Sequence, residues 1–187
     1  MKIQKVSADN QAKVYALLRQ AFPGSNYEAT LVEKLHQNKR PIHDWVCIHR
    51  NKAIAYIAFS NAFHGNLLCG LHLAPMAVAP DLQKQGIGTE LLNFALRQAE
   101  IISQPLFVLG KPAYYKKFGF EPCQQPVCPF DKNNRHFLGL RNSSKHSFTI
   151  GYEAEFTAAS MVSSKPASTE NVKAKNQGGR NQNRRRR

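Results

Sequence analysis

The stretch Gln83-Lys84-Gln85-Gly86-Ile87-Gly88-Thr89-Glu90 stands between an apolar run, Leu71 to Val78, and an amphipathic run, Gly88 to Ile102. In that order the three segments read as strand, glycine-bearing loop and helix. Such a loop presents several backbone N–H groups at the positive end of a helix dipole, a ready site for phosphate. Glycine suits it because a side chain would block close approach of backbone to ligand. The two commoner phosphate motifs are excluded. No Lys-Ser/Thr pair follows Gly88, and position 91 is Leu91 rather than a third glycine.

Downstream, Leu106-Phe107-Val108-Leu109 is a short apolar run, followed by Gly110-Lys111-Pro112 and then Ala113-Tyr114-Tyr115-Lys116-Lys117-Phe118-Gly119-Phe120. A strand ending in Gly-x-Pro and a helix of one or two turns closed by Gly119 fit the local signals. Proline suits a first helical turn, and glycine suits the position just past a helix end.

The two segments together, in this order and about thirty residues apart, resemble the acetyl-CoA pyrophosphate loop and the tyrosine-bearing helix of the GNAT superfamily of N-acetyltransferases. The Gly-x-Pro-x-Tyr-Tyr-x-x-Phe-Gly-Phe form, with Pro75 inside the preceding strand, is similar to a bacterial YhbS-like subgroup. The resemblance covers roughly residues 1 to 156 and is sharpest from Leu71 to Phe120. It implies an α/β fold with a mixed, mostly antiparallel sheet splayed between two central strands and flanked by helices. It also implies acetyl-CoA as the acetyl donor, transferred to a primary amine by direct attack.

Around this centre the chain reads as one domain, residues 1–156, with a disordered basic tail, 157–187. At 187 residues and 42% hydrophobic content it is long enough for a proper core. No segment approaches the roughly 18 apolar residues of a membrane span. Met1 to Val6 lacks a signal-peptide core, and four cysteines are sparse, so the cytoplasm is the expected location. Beyond Thr157 large apolar residues almost vanish, and that segment cannot bury enough surface to fold. It holds eight Lys or Arg against one Glu, half of the net charge of +14. It ends in Arg184 to Arg187, a tail suited to non-specific nucleic-acid contact through counterion release.

Ser7 or Asp9 caps an expected helix to about Ala21, and Ser25-x-x-Glu28 reads as a capping box opening a second. Trp45–Ile48 and Ala53–Phe59 form an expected hairpin about Arg50-Asn51-Lys52. Leu68 to Val78 is the next strand, and Pro75 inside it favours a bulge or an edge. The helix after the loop is expected to bury Ile87, Leu91, Ala95, Ala99 and Ile102. Phe137–Leu140 and Phe148–Tyr152 read as two late strands.

The chemistry follows from the resemblance and these positions. The amides of Gln83, Lys84, Gln85, Gly86, Ile87, Gly88 and Thr89 would hold the pyrophosphate. Backbone of Met76, Ala77 and Val78 would align the pantetheine as an added strand does, and one of those amides would stabilise an oxyanion. Tyr115, five residues before Phe120, is the acid carried over from the family motif to protonate the leaving thiolate. Tyr114 reads as packing. His72 has a base's intrinsic pKa and lies on the strand before the loop. Glu28 is explained by its capping box. No metal is expected, because Cys123-x4-Cys128 with His136 lacks a fourth ligand at a typical interval. The acceptor stays open among a small-molecule amine, a peptide N-terminus and a protein lysine. Two rivals remain, an acyl-CoA sensor with little turnover and a basic nucleic-acid binder on the same scaffold.

Overall fold

The computed structural model describes residues 2–131 and 133–163. The elements run β1 (Lys2–Lys5), α1 (Ala8–Ala21), α2 (Tyr27–Gln37), β2 (Ile42–His49), β3 (Lys52–His64), β4 (Leu67–Val78), α3 (Ile87–Leu96), β5 (Leu106–Leu109), α4 (Pro112–Tyr115), β6 (Glu121–Pro122), β7 (Phe137–Leu140) and α5 (Ala154–Ser163). Seven strands form one sheet in the order β1-β2-β3-β4-β5-β7-β6. All neighbours are antiparallel except β4 and β5. This is the mixed, mostly antiparallel architecture that the resemblance implies.

The central strands are apolar on both faces because both faces are covered. In β2 and β3, Trp45, Cys47, Ala55, Ile57 and Phe59 face α3, where Leu91, Leu92 and Ala95 meet them. The alternate residues Val46, Tyr56 and Ala58 face α1 and α2, against Val14, Leu18 and Val32. The hairpin turn places Arg50 and Asn51 at φ 46° and 61°, the left-handed pair that matches the twist of a two-residue connection.

β4 and β5 pair at only two positions, Leu71 with Leu106 and His72 with Phe107. The junction is tight. The Leu71 N–H donates to the Pro105 carbonyl at 2.9 Å, and a Cβ on Gly70 would lie 2.4 Å from that oxygen. Beyond His72 the strands part. The β3–β4 register shifts between Ile57 and Phe59, opposite Ala74 and Pro75, so Pro75 sits at a bulge, where its missing N–H breaks no regular ladder. From Leu73 to Val78 the far edge of β4 has no partner strand among the described residues.

A buried polar chain ties the two N-terminal helices to the sheet. In the tautomer with a proton on Nε2, His36 donates to Asp44 Oδ2 at 2.9 Å, and Tyr15 donates to His36 Nδ1 at 2.9 Å. The Tyr56 hydroxyl donates to the same Asp44 oxygen at 2.9 Å. α1, α2, β2 and β3 each supply one member.

Four local expectations are corrected. The helix after the loop ends at Leu96. It gives way to tight turns, with Gln98 Nε2 bonding the Phe94 carbonyl, so Ile101 turns inward while Ala99 and Ile102 are exposed. Phe148–Tyr152 is no strand but makes isolated bridges, Phe63 with Gly151 and Val127 with Thr149. The helix expected to be capped by Ser25 begins at Tyr27 with Asn26 as its cap. Ser25 instead gives its hydroxyl to Glu28 Oε2 at 2.7 Å and accepts from the Tyr27 N–H. Finally, the ordered chain does not stop at 156. α5 buries Phe156 and Ala159 against Leu31 and Leu35 of α2, and Glu155 accepts from Asn38 and Arg40 at 2.7 and 2.8 Å. From residue 164 onward the expected basic tail lies outside the described residues. No helix among those described is long and apolar enough to cross a membrane.

Asp44→Ala should lower the unfolding free energy by about 2–4 kcal/mol, because it strands the Tyr56 hydroxyl and the His36 ring in a dry site. Urea denaturation at neutral pH reads this as a lower midpoint at an unchanged slope.

Candidate functional site

Two cavities open into the gap between β4 and β5. The first, of about 450 Å³, lies between the end of β4, the loop before α3 and the start of α4. The second, of about 510 Å³, lies between β4, α2 and α5. Both are lined by Met76 and Tyr115.

The loop that borders the first cavity is held by its own side chains. Gln83 Nε2 donates to the Val78 carbonyl and Gln85 Nε2 to the Asp81 carbonyl, each at 3.1 Å. Lys84 and Gly86 adopt φ 62° and 88°, the left-handed conformation that favours glycine at the second position. α3 then starts at Ile87, and its first intrahelical bond is the Glu90 N–H to the Gly86 carbonyl. The amides of Ile87, Gly88 and Thr89 are therefore the orphan donors of the helix start, at the positive end of its dipole. Lys84 and Lys111 add positive charge to the rim. Gly88 keeps the wall thin, since a Cβ there would press on the Tyr114 hydroxyl and Val78, both at 3.3 Å.

The unpaired edge of β4 runs into this cavity. The Ala79 N–H bonds the Ile54 carbonyl, so by strand alternation the peptide groups of Ala77 also face β3 and those of Met76 and Val78 face the gap. The side chains of Met76 and Val78 also line the cavity. Ala77 does not fit the ligand role expected of it. It pairs with Tyr56 and is buried against α1 and α2. Gln85 likewise lies outside the cavity lining and acts as a brace. The other loop residues from Gln83 to Thr89 line the first cavity.

Tyr115 stands where the two cavities meet. Its ring lies over the end of β5, so close to Gly110 that a Cβ there would sit 2.4 Å from Cε2. Phe120 and Tyr114 flank it edge-on. Burial, helped by Tyr114, pushes its pKa well above the ordinary phenol value, so it holds its proton at neutral pH. Tyr114, read from sequence as packing, also lines the first cavity. Burial raises its pKa, with the Thr89 side chain pulling back in part. Its buried hydroxyl has no well-formed hydrogen bond among the described residues, an orphan that a ligand in this cavity would satisfy.

His72 lines the second cavity but is poorly equipped as a base. Its ring is stacked on Tyr152 with centroids 3.7 Å apart. The Gly151 carbonyl can only accept, so Nε2 carries the proton and donates to it at 3.0 Å. Burial lowers its pKa to about 4 against the small opposing effect of that bond. The carboxylate in this cavity is Glu28, half-buried, with Oε2 taken by Ser25 and Oε1 left over. Sequence reading explained Glu28 by local capping alone and had no signal for the aromatic wall that Tyr152 and Phe156 contribute.

Among the described residues no three or more His, Cys, Asp or Glu side chains converge as a metal site. Cys123 bonds the Gln125 carbonyl and Cys128 pairs with the Tyr152 hydroxyl. All four cysteines are free thiols.

Comparison with known proteins agrees with this geometry. Residues 41–122 match the acetyltransferase (GNAT) domain family. The uncharacterized N-acetyltransferase YjhQ of Escherichia coli (strain K12) is 36% identical over 106 residues, 54% of this chain and 59% of that protein. The uncharacterized N-acetyltransferase YhbS of the same strain is 34% identical over 109 residues, 57% of this chain and 65% of that protein. The aligned region thus spans about three fifths of the curated relatives. Among solved structures, Escherichia coli YhbS in complex with CoA superposes with a TM-score of 0.76 at 24% identity, covering 83% of this chain and 91% of that one. A GNAT family acetyltransferase from Brucella melitensis in complex with acetyl-CoA gives 0.69 at 24% identity, covering 83% and 97%. Residues 41–122 thus resemble a GNAT acetyltransferase domain, and the described residues share the GNAT fold of these solved structures.

The state of His72 sets a pH dependence. Its folded pKa of about 4 lies below the ordinary 6.5, so between these values the unfolded chain binds a proton that the folded one refuses. Stability is full above about pH 6.5 and falls as the pH drops toward 4, by about 3 kcal/mol for a shift of this size. Replacing His72 by Phe keeps a ring for Tyr152 and removes this component, so urea midpoints of the variant should decline less steeply over that window.

Proposed function

We propose that this GNAT-fold chain is an acetyl-CoA-dependent N-acetyltransferase, moving the acetyl group to a primary amine by direct attack in a ternary complex. The observation that carries the reading is the meeting of two cavities at Tyr115, one floored by helix-start amides and edged by unpaired strand backbone. The orphan Tyr114 hydroxyl, the two lysines and the free amides of Ile87, Gly88 and Thr89 suit a pyrophosphate-bearing donor. The CoA and acetyl-CoA complexes of the two structural neighbours support the same choice.

Each residue has a task. Lys84, Lys111 and the loop amides hold the phosphates. The open edge at Met76 and Val78 aligns the extended arm of the donor by backbone hydrogen bonds. An N–H of that edge stabilises the negative charge that develops on the carbonyl oxygen. The amine attacks from the second cavity, the C–N bond forms, and the C–S bond breaks. Tyr115, which burial keeps protonated, then gives its proton to the departing sulfur, whose own basicity rises in the same dry junction. The geometry favours loss of the ammonium proton through water toward Glu28 rather than to His72. Among the described residues no nucleophile stands in the junction for a covalent acyl-enzyme, so one displacement suffices.

Two measurements test this. Acetyl-CoA at about 100 times its Kd should add about 2.7 kcal/mol of stability, a rise of roughly 5–10 °C in Tm. Gly86→Glu, which forces a side chain onto a left-handed residue facing the phosphates, should remove the rise. No shift with the wild-type chain would sink the donor assignment. In turnover, Tyr115→Phe should cut kcat about 100-fold, in the range of a lost general acid. Gly110→Ala should lower kcat about tenfold by displacing the same ring. A Tyr115→Phe enzyme with unchanged kcat would refute the proton-donor role.

A further inference from the structure

The second cavity has a composition that the donor does not explain. Among the described residues, seven of the sixteen that line it are Phe or Tyr, and Glu28 is the single carboxylate. Among the described residues no lysine or arginine lines it. Its volume of about 510 Å³ falls within the roughly 300–1,000 Å³ of small-molecule sites. The outer side is closed by Phe156 and Ser160 of α5 and by Phe130. α5 is fastened by Glu155, which Asn38 and Arg40 hold from the end of α2.

We infer that the acceptor is a small primary amine on an aromatic or otherwise apolar body, its ammonium drawn in by Glu28 and its body packed among the rings of β4, α2 and α5. This deepens the acetyltransferase reading and rests on it. An apolar wall gains about 25 cal/mol for each Å² of apolar surface it takes from water. An aromatic face also attracts a cation by its quadrupole, so the lining favours both halves of such a molecule. The same wall disfavours polycations. A polyamine or an aminosugar brings several charges and many hydroxyl or ammonium groups, and one carboxylate would leave most of them desolvated and unpaired. A protein lysine within a basic stretch meets the same obstacle, and α5 narrows the approach. Glu28 keeps Oε1 for the incoming ammonium because Ser25 occupies only Oε2.

The test uses the full chain with acetyl-CoA and follows release of free CoA thiol. The probes are 2-phenylethylamine, spermidine and a lysine-containing peptide. The inference expects kcat/KM for 2-phenylethylamine to exceed that for either rival at least tenfold. Glu28→Gln should raise the KM for 2-phenylethylamine at least tenfold and leave the acetyl-CoA thermal shift as in wild type. Phe130→Ala, at a half-exposed ring where folding is not at stake, should raise that KM severalfold. Preference for spermidine or the peptide, or a silent Glu28→Gln, overturns the substrate class while the acetyl-CoA shift keeps the donor assignment standing. Turnover only with a longer donor such as hexanoyl-CoA would assign the cavity to the acyl chain and also overturn it. Loss of the acetyl-CoA shift itself in the wild-type chain removes the parent reading and the inference with it.

Discussion

The structure depends on an interrupted strand pairing. β4 and β5 are locked at Leu71–Leu106 and His72–Phe107, with Gly70 pressed against the Pro105 carbonyl. Any side chain at Gly70 would lift the two strands apart at the one end where they must touch. Past that lock β4 is bent by the bulge at Ala74 and Pro75, and its outer peptide groups lose their partner. In a sheet interior such groups would be a liability. Here they border a gap, and both cavities are consequences of it.

Around the gap, the flanking elements are made rigid by unlike means. Beside the first cavity, a short loop is braced by two glutamine side chains, and a tyrosine ring is seated by the absence of a side chain at Gly110. On the other side, α1 and α2 are joined to the sheet through the Tyr15–His36–Asp44–Tyr56 chain. α5 is joined to α2 by packing and by the Glu155 contacts. Burial alone would raise the Glu155 pKa, but its bonds to Asn38 and Arg40 outweigh this and hold the carboxyl below the ordinary value. Preorganisation of this kind matters because reacting groups misplaced by about 1 Å lose much of their effect.

What could be read from the sequence follows the range of the determining interaction. The loop from Gln83 to Thr89 and the segment from Gly110 to Phe120 announce themselves through glycine and proline, whose conformational demands are local. Pro75 gave away its bulge for the same reason. The misreadings come from contacts distant in sequence. Ala77 lies between two residues that line the gap, but strand alternation turns it to α1. Ala159 falls within the expected polar tail until α2, well over a hundred residues earlier, covers it. Ile101 rather than Ile102 faces the core because turns after Leu96 break the helical period. Glu28 satisfies a local rule with Ser25 and lines a cavity as well, and the second fact has no signature in its neighbours along the chain.

The two cavities share only Met76 and Tyr115, and this has a consequence for how such a chain can diversify. The residues around the loop before α3 and those of the aromatic chamber form nearly disjoint sets. A substitution at Tyr27, Phe130 or Phe156 can drift without disturbing the opposite half, whereas one at the hinge pair is seen by both. The fold thus offers selection two separately adjustable dials joined by a narrow seam of two residues that both halves share.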